Sequence, residues 1–134
     1  MGCTTVSTNF DAYAPFTPGG ALGIPGVSFS GGVTDFGFFS SLTGIVFFST
    51  APTMRIRLTE VHEGFSFDFA HAFDPIAMDV FRSGSLVSSS TLTGVVPGGF
   101  TFPEGNAASG VLFDEIRLSN ASGLAIDNFS AACP

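Results

Sequence analysis

The chain has 134 residues, 45% of them hydrophobic, a formal net charge of -7, and no lysine among its four basic residues, Arg55, Arg57, Arg82 and Arg117. That length predicts a single domain over residues 1–134, and the missing basic footprint excludes nucleic acid as a partner, because phosphate recognition needs clustered Lys and Arg. The most apolar run, Ile45-Val46-Phe47-Phe48, is far shorter than the ~20 residues of a spanning helix, so no membrane insertion is expected.

Cys3 stands just ahead of the first strand-like run, Val6 to Tyr13, which carries Asp11. Residues 14–44 are rich in Gly, Pro, Ser and Phe and predict long loops. Phe36-Gly37-Phe38-Phe39 and Ile45-Val46-Phe47-Phe48 are β-prone and nearly uncharged, which suits core strands or, at a sheet edge, pairing between chains. Met54, Ile56 and Leu58 then alternate with Arg55, Arg57 and Thr59, giving one dry and one wet face. Phe65, Phe67 and Phe69 alternate with Ser66, Asp68 and Ala70 in the same way, with His62 and His71 expected in surface loops on either side.

Ile76, Met78 and Val80 form the next dry face, and Arg82-Ser83-Gly84-Ser85 fits a hairpin turn into a Ser/Thr-rich strand from Leu86 to Thr93. Leu112, Ile116 and Leu118 share one parity that Phe113 breaks, so Asp114 points inward unless a bulge re-phases the strand. The last run, Gly123 to Phe129, carries Asp127, and Cys133 follows it. Short strands divided by Gly/Pro turns predict an all-β fold, an antiparallel β-sandwich of jelly-roll type. The matched ends predict adjacent N- and C-terminal strands closed by a Cys3–Cys133 disulfide. Such a bridge implies an oxidising compartment, hence an extracellular or cell-surface location.

The absence of catalytic patterns is informative. His62-Glu63 opens like a zinc-protease helix, but Ser66 stands where the second His belongs. Asp11 and Asp127 are the better site candidates, because each lies among hydrophobes beside Phe10 or Ile126 and Phe129, and a carboxylate there needs compensation. If the terminal strands are neighbours, the two acids meet, and Ca²⁺ suits such a pair of hard oxygen ligands. Otherwise each caps a turn or accepts backbone hydrogen bonds. Two glycosylation sequons are present, Asn120-Ala121-Ser122 and Asn128-Phe129-Ser130.

Several runs carry a family likeness: Asn9-Phe10-Asp11, Phe65-Ser66-Phe67-Asp68-Phe69, the stretch from Ile76 to Val87, Phe113-Asp114-Glu115-Ile116-Arg117-Leu118, and the closing Ile126-Asp127-Asn128-Phe129. In these the chain resembles secreted bacterial β-sandwich domains that precede a PEP-CTERM sorting tail, and more distantly jelly-roll carbohydrate-binding modules. The resemblance implies a structural calcium held by Asp11 and Asp127. The expectation is a non-enzymatic extracellular protein with a structural or adhesive role, self-associating as a homo-oligomer or filament because its surface is poor in charge. The alternative is a carbohydrate-binding module with a glycan partner. Behind it stands a glycoside hydrolase using two of Asp68, Asp79 and Glu115.

Overall fold

The computed structural model describes residues 3–37, 42, 44–98 and 102–134. Its strands are β1 (Val6–Thr8), β2 (Val27–Ser30), β3 (Gly32–Phe36), β4 (Ile45–Ser49), β5 (Thr53–His71), β6 (Ile76–Arg82), β7 (Ser85–Leu92), β8 (Glu104–Ser119) and β9 (Leu124–Ala131). The strand pairs are antiparallel throughout. Among the described residues, no helix is long and apolar enough to cross a membrane.

Two long strands build the sandwich. The segments Met54–Leu58 and Phe65–Phe69 belong to one strand, the 19-residue β5, which pairs with the 16-residue β8 along both its halves. Register shifts between Arg57 and His62, and between Glu63 and Phe65, bend this pair. A bulge adds residues to one strand and sharpens its twist, so the sheet folds over itself there. The first layer runs β2, the first half of β5, the second half of β8, β6 and β7. The second runs β3, β4, β9, the second half of β5 and the first half of β8. β1 shares the edge of β9 with β4: β4 takes Ala125 and Ile126, and β1 takes Phe129 to Ala131. The terminal strands are therefore neighbours. The same shifts account for Phe113, which is fully buried together with Ile116 and Leu118.

Phenylalanine fills the space between the layers. Phe29 of the first layer meets Phe129 of the second edge-on at 5.7 Å between ring centres, and Phe10 packs on both Phe29 (5.2 Å) and Phe47 (5.7 Å). Edge-to-face and offset rings of this kind give orientation as well as buried area.

Several expectations need correcting. His62 and His71 are buried, at 1% and 3% exposure, because they lie within β5. His62 is held between the carbonyl oxygens of Glu60 (2.9 Å) and Thr4 (2.7 Å). His71 donates from Nδ1 to the Phe73 carbonyl (3.0 Å) and accepts at Nε2 from the Gly94 N–H (3.1 Å). Within residues 14–44, β2 and β3 replace part of the expected loop. Of Phe36-Gly37-Phe38-Phe39, Phe36 closes β3, and Phe38 and Phe39 lie outside the described residues. Ile45–Phe48 belongs to β4, with Val46 and Phe47 in the interior.

Candidate functional site

The site forms where the chain ends meet. β1 stops at Thr8 because side chains capture the next backbone donors: Thr8 Oγ1 accepts the Phe10 N–H (3.1 Å) and Asn9 Oδ1 accepts that of Asp11 (3.1 Å). Local bonds of this kind compete with the sheet ladder and turn the chain away. Asp11 thus lies in the loop after β1, exposed, and not in a strand as its surroundings suggested. Its Oδ1 accepts the Ile45 N–H (2.8 Å), which ties the loop to the start of β4.

On β9 the decisive feature is a bulge. Ser66 faces Ser130 and Asp68 faces Asp127, so Phe67 alone stands opposite the two residues Asn128 and Phe129. Asn128 takes up the extra residue with φ of 51°, a conformation Asn tolerates better than most residues. Ile126 and Phe129 can therefore both reach the core although they are three residues apart. The bulge leaves Asp127 buried beside Asn128, whose amide is exposed.

Three carboxylates gather around this bulge. Burial pushes the Asp127 carboxyl up from 3.8 to about 7; the Asn128 N–H (2.8 Å to Oδ1) pulls against that, and the Asp11 and Asp68 charges add to it. Asp68 stands directly opposite Asp127 in the strand register, a placement that costs stability for like charges. It accepts the Asn106 amide at Oδ1 (3.0 Å) and the Asn128 amide at Oδ2 (2.9 Å), and Asn106 also reaches Ser66 Oγ (3.2 Å). Among the described residues, the donors to all three acids are neutral amides. The ligand type is the hard oxygen that Ca²⁺ takes. The three carboxylates, however, do not close to within 4.8 Å of one another as a ligand group; among the described residues the group that does is Cys3, His62 and Cys133.

Beside the cluster opens a cavity of about 590 Å³. Ser7, Thr8, Asn9 and Tyr13 line one wall and Asn128 and Ser130 another, with Ala12 and Ile24 as its apolar part. Among the described residues, no charged side chain lines it. Tyr13, the single tyrosine of the chain, packs against the main core from its half-buried position. Sequence reasoning missed this cavity and the part of Asp68. The parity conflict between Ile126 and Phe129 was the signal for the bulge that creates both.

The remaining candidates fall elsewhere. Cys3 and Cys133 form a disulfide with Cα atoms 5.6 Å apart, next to the buried His62 ring. Their sulfurs bond to each other, and both ring nitrogens of His62 are engaged by the carbonyls of Glu60 and Thr4, so that group offers no open metal ligand. Asp79 accepts the Ser89 hydroxyl (2.7 Å), and Glu115 is engaged by Arg117 (2.6 Å) and Arg57 (3.8 Å), all on the first layer. Asp68 faces Asn106 near the start of β8, whereas Glu115 lies near its end, so the structure separates Asp68 from the other two hydrolase candidates. Of the sequons, Asn120 is exposed after β8, and the Asn128 amide is engaged by Asp68.

No family model matches the sequence, and no curated protein matches it. Solved structures with a similar fold do exist. A variant of a family 29 carbohydrate-binding module is 12% identical, with a TM-score of 0.50 over 97% of this chain and 92% of that one. A CBM35 from Paenibacillus barcinonensis is 16% identical with a TM-score of 0.46, covering 98% and 100% of the two chains. The K1 cleaved adhesin domain of Lys-gingipain from Porphyromonas gingivalis W83 is 13% identical with a TM-score of 0.44, covering 98% and 99%. The jelly-roll β-sandwich is the feature shared with the family 29 module.

Proposed function

We propose that this protein is a non-enzymatic glycan-binding domain that acts outside the cell or at its surface. The carrying observation is the cavity beside the β9 bulge, whose lining is hydroxyl, amide and one phenol with no charge. Sugars present neutral donors and acceptors around an apolar ring, and a few convergent polar groups beside an apolar wall suit them. The shared fold of the family 29 module agrees with this reading. Adhesion then follows from glycan capture. Self-association, if it accompanies binding, has its natural place on β7, a strand that carries no charged residue and exposes Leu86 and Val87.

Calcium enters as a structural ion. Asp11 and Asp127 would hold it, with Asp68 beside them, and it would offset the repulsion at the bulge that forms one wall of the cavity. The ion supplies charge compensation there; Tyr13, Asn9 and Asn128 do the recognising.

A glycan array of neutral oligosaccharides tests the reading. Binding is expected, with a loss of about tenfold or more in Tyr13→Ala and in Asn128→Ala. An array without a single ligand, repeated in the presence of Ca²⁺, overturns it.

A further inference from the structure

Among the described residues, five other than glycine have positive φ: Phe10, Phe16, Ser83, Asn120 and Asn128. Asn tolerates that region, and Ser83 precedes Gly84 in the β6–β7 hairpin turn. The two phenylalanines are the outliers, and their circumstances differ. Phe10, at φ 63°, is fully buried against Phe29 and Phe47, so its burial offsets the strain. Phe16, at φ 68°, is 66% exposed and makes no ring contact among the described residues.

The backbone around Phe16 is held firmly. Pro15 precedes it, and a proline followed by positive φ marks a type II turn, whose second central position is normally Gly or Asn. Thr34 of β3 fixes both sides of the turn. Its carbonyl accepts the Phe16 N–H, its hydroxyl accepts the Thr17 N–H (2.8 Å) and donates to the Ala14 carbonyl (2.6 Å), and its N–H donates to the Thr17 carbonyl (2.9 Å). The Thr17 hydroxyl adds a bond to Ala14 (2.7 Å). Strain of this kind persists where the surroundings over-determine it, and it clusters at sites of function. Here it holds an aromatic ring that is two-thirds exposed to solvent.

We infer that Phe16 is a rigid stacking platform for the apolar face of one pyranose ring of a neutral glycan. The inference deepens the glycan reading and rests on it. A single ring matches one sugar face, whereas a protein partner would need roughly 800 Å² on this side. The face of a phenyl ring is electron-rich and attracts the polarised C–H groups of a sugar. Phe16 follows Tyr13 by three residues in the same connection, so one loop supplies the cavity's phenol and the exposed platform. The absence of Trp does not remove aromatic stacking from this chain.

Isothermal titration with soluble hexasaccharides of β-1,4-linked glucose, mannose and xylose tests the assignment on the full chain, with Phe16→Gly and Phe16→Trp as variants. Gly suits the turn and removes the ring. Phe16→Gly is therefore expected to raise Tm by about 3 °C or more while weakening binding about tenfold or more. Phe16→Trp should bind as tightly as the native chain or more so. Undiminished affinity in Phe16→Gly overturns the platform, and so does a fall in its Tm, which would show that the ring packs. If Tyr13→Ala loses binding while Phe16→Gly keeps it, the platform fails and the glycan reading stands. If the native chain binds none of the three sugars nor any array glycan, both fail.

Discussion

On the outer face of the first layer, Glu115 is engaged by Arg57 and Arg117, Arg117 lies 4.2 Å over the Phe81 ring, and Asp79 takes a hydroxyl from Ser89. On the second layer, Asp68 faces Asp127 across a bulge with Asp11 close by, and amides are the donors they meet. All four arginines belong to strands of the first layer or to its β6–β7 hairpin. The chain could have placed a cation beside Asp127 and did not. Charge on the first layer is settled within the fold. On the second, among the described residues, the acids meet amides and no cation, and the uncharged cavity opens beside them.

The second layer also depends on closure at the chain ends, and this gives the largest expected effect. β1 has three residues, and the Cys3–Cys133 bridge spans 130 positions of sequence. In the chain-entropy picture, losing a link of that span costs about 4–5 kcal/mol. Replacing both cysteines by serine should therefore lower the urea midpoint strongly. It should also disorder the Ser7–Tyr13 wall of the cavity and so weaken glycan binding. A loss below about 1 kcal/mol would show that β1 is held without the bridge.

Next in size is the Asp127 carboxyl, whose folded value of about 7 stands above the unfolded 3.8. A raised acid favours folding while it is protonated. Its contribution is fully present below about 3.8 and is lost as pH rises towards 7, so stability should decline across that window. Asp127→Asn should flatten the decline and raise stability at pH 8, on the order of 2 kcal/mol after discounting for solvent screening. Ca²⁺ acts in the opposite sense, since it favours the carboxylate: added calcium should raise Tm at pH 8, and chelation should reverse the gain. Asp11→Ala should abolish the calcium response. A Tm indifferent to Ca²⁺ in the native chain removes the ion from the site.

What the sequence made legible was periodic. Alternation at Met54–Leu58, Phe65–Phe69 and Ile76–Val80 placed the strands and their dry faces, and Ser83-Gly84 placed the hairpin, because pleat and turn chemistry are local. The bends were less visible. Residues 60–64 interrupt the alternation, and that break read as loop, although the chain stays extended and carries His62 into the interior. Asp11 looked like a strand residue because Phe10 is apolar, yet Phe10 reaches the core from a turn at positive φ. Asp127 was found from its apolar neighbours. Asp68 was not assigned to its cluster, since its place opposite Asp127 depends on pairing between segments 59 residues apart. Phe16 carried no periodic signal, because its strain comes from the bonds to Thr34.

The smallest effect belongs to the first layer and bears most directly on the contrast. Arg57 approaches Glu115 at 3.8 Å with half its side chain in water, so Arg57→Ala should cost no more than about 0.5 kcal/mol and less at high salt. Arg117 is closer at 2.6 Å and also covers Phe81, so Arg117→Ala should cost about 1 kcal/mol. Arg117→Lys should recover little of that, because an ammonium neither stacks nor forks as a guanidinium does. A double-mutant cycle between Arg57 and Glu115 isolates the pair. A coupling above about 2 kcal/mol would mean that the first layer is held by its ion pairs, and would undo the distinction between a layer whose acids are merely settled by arginines and one whose acids meet only amides. A coupling near zero leaves the uncompensated acids of the second layer as the charges whose removal changes the protein's behaviour.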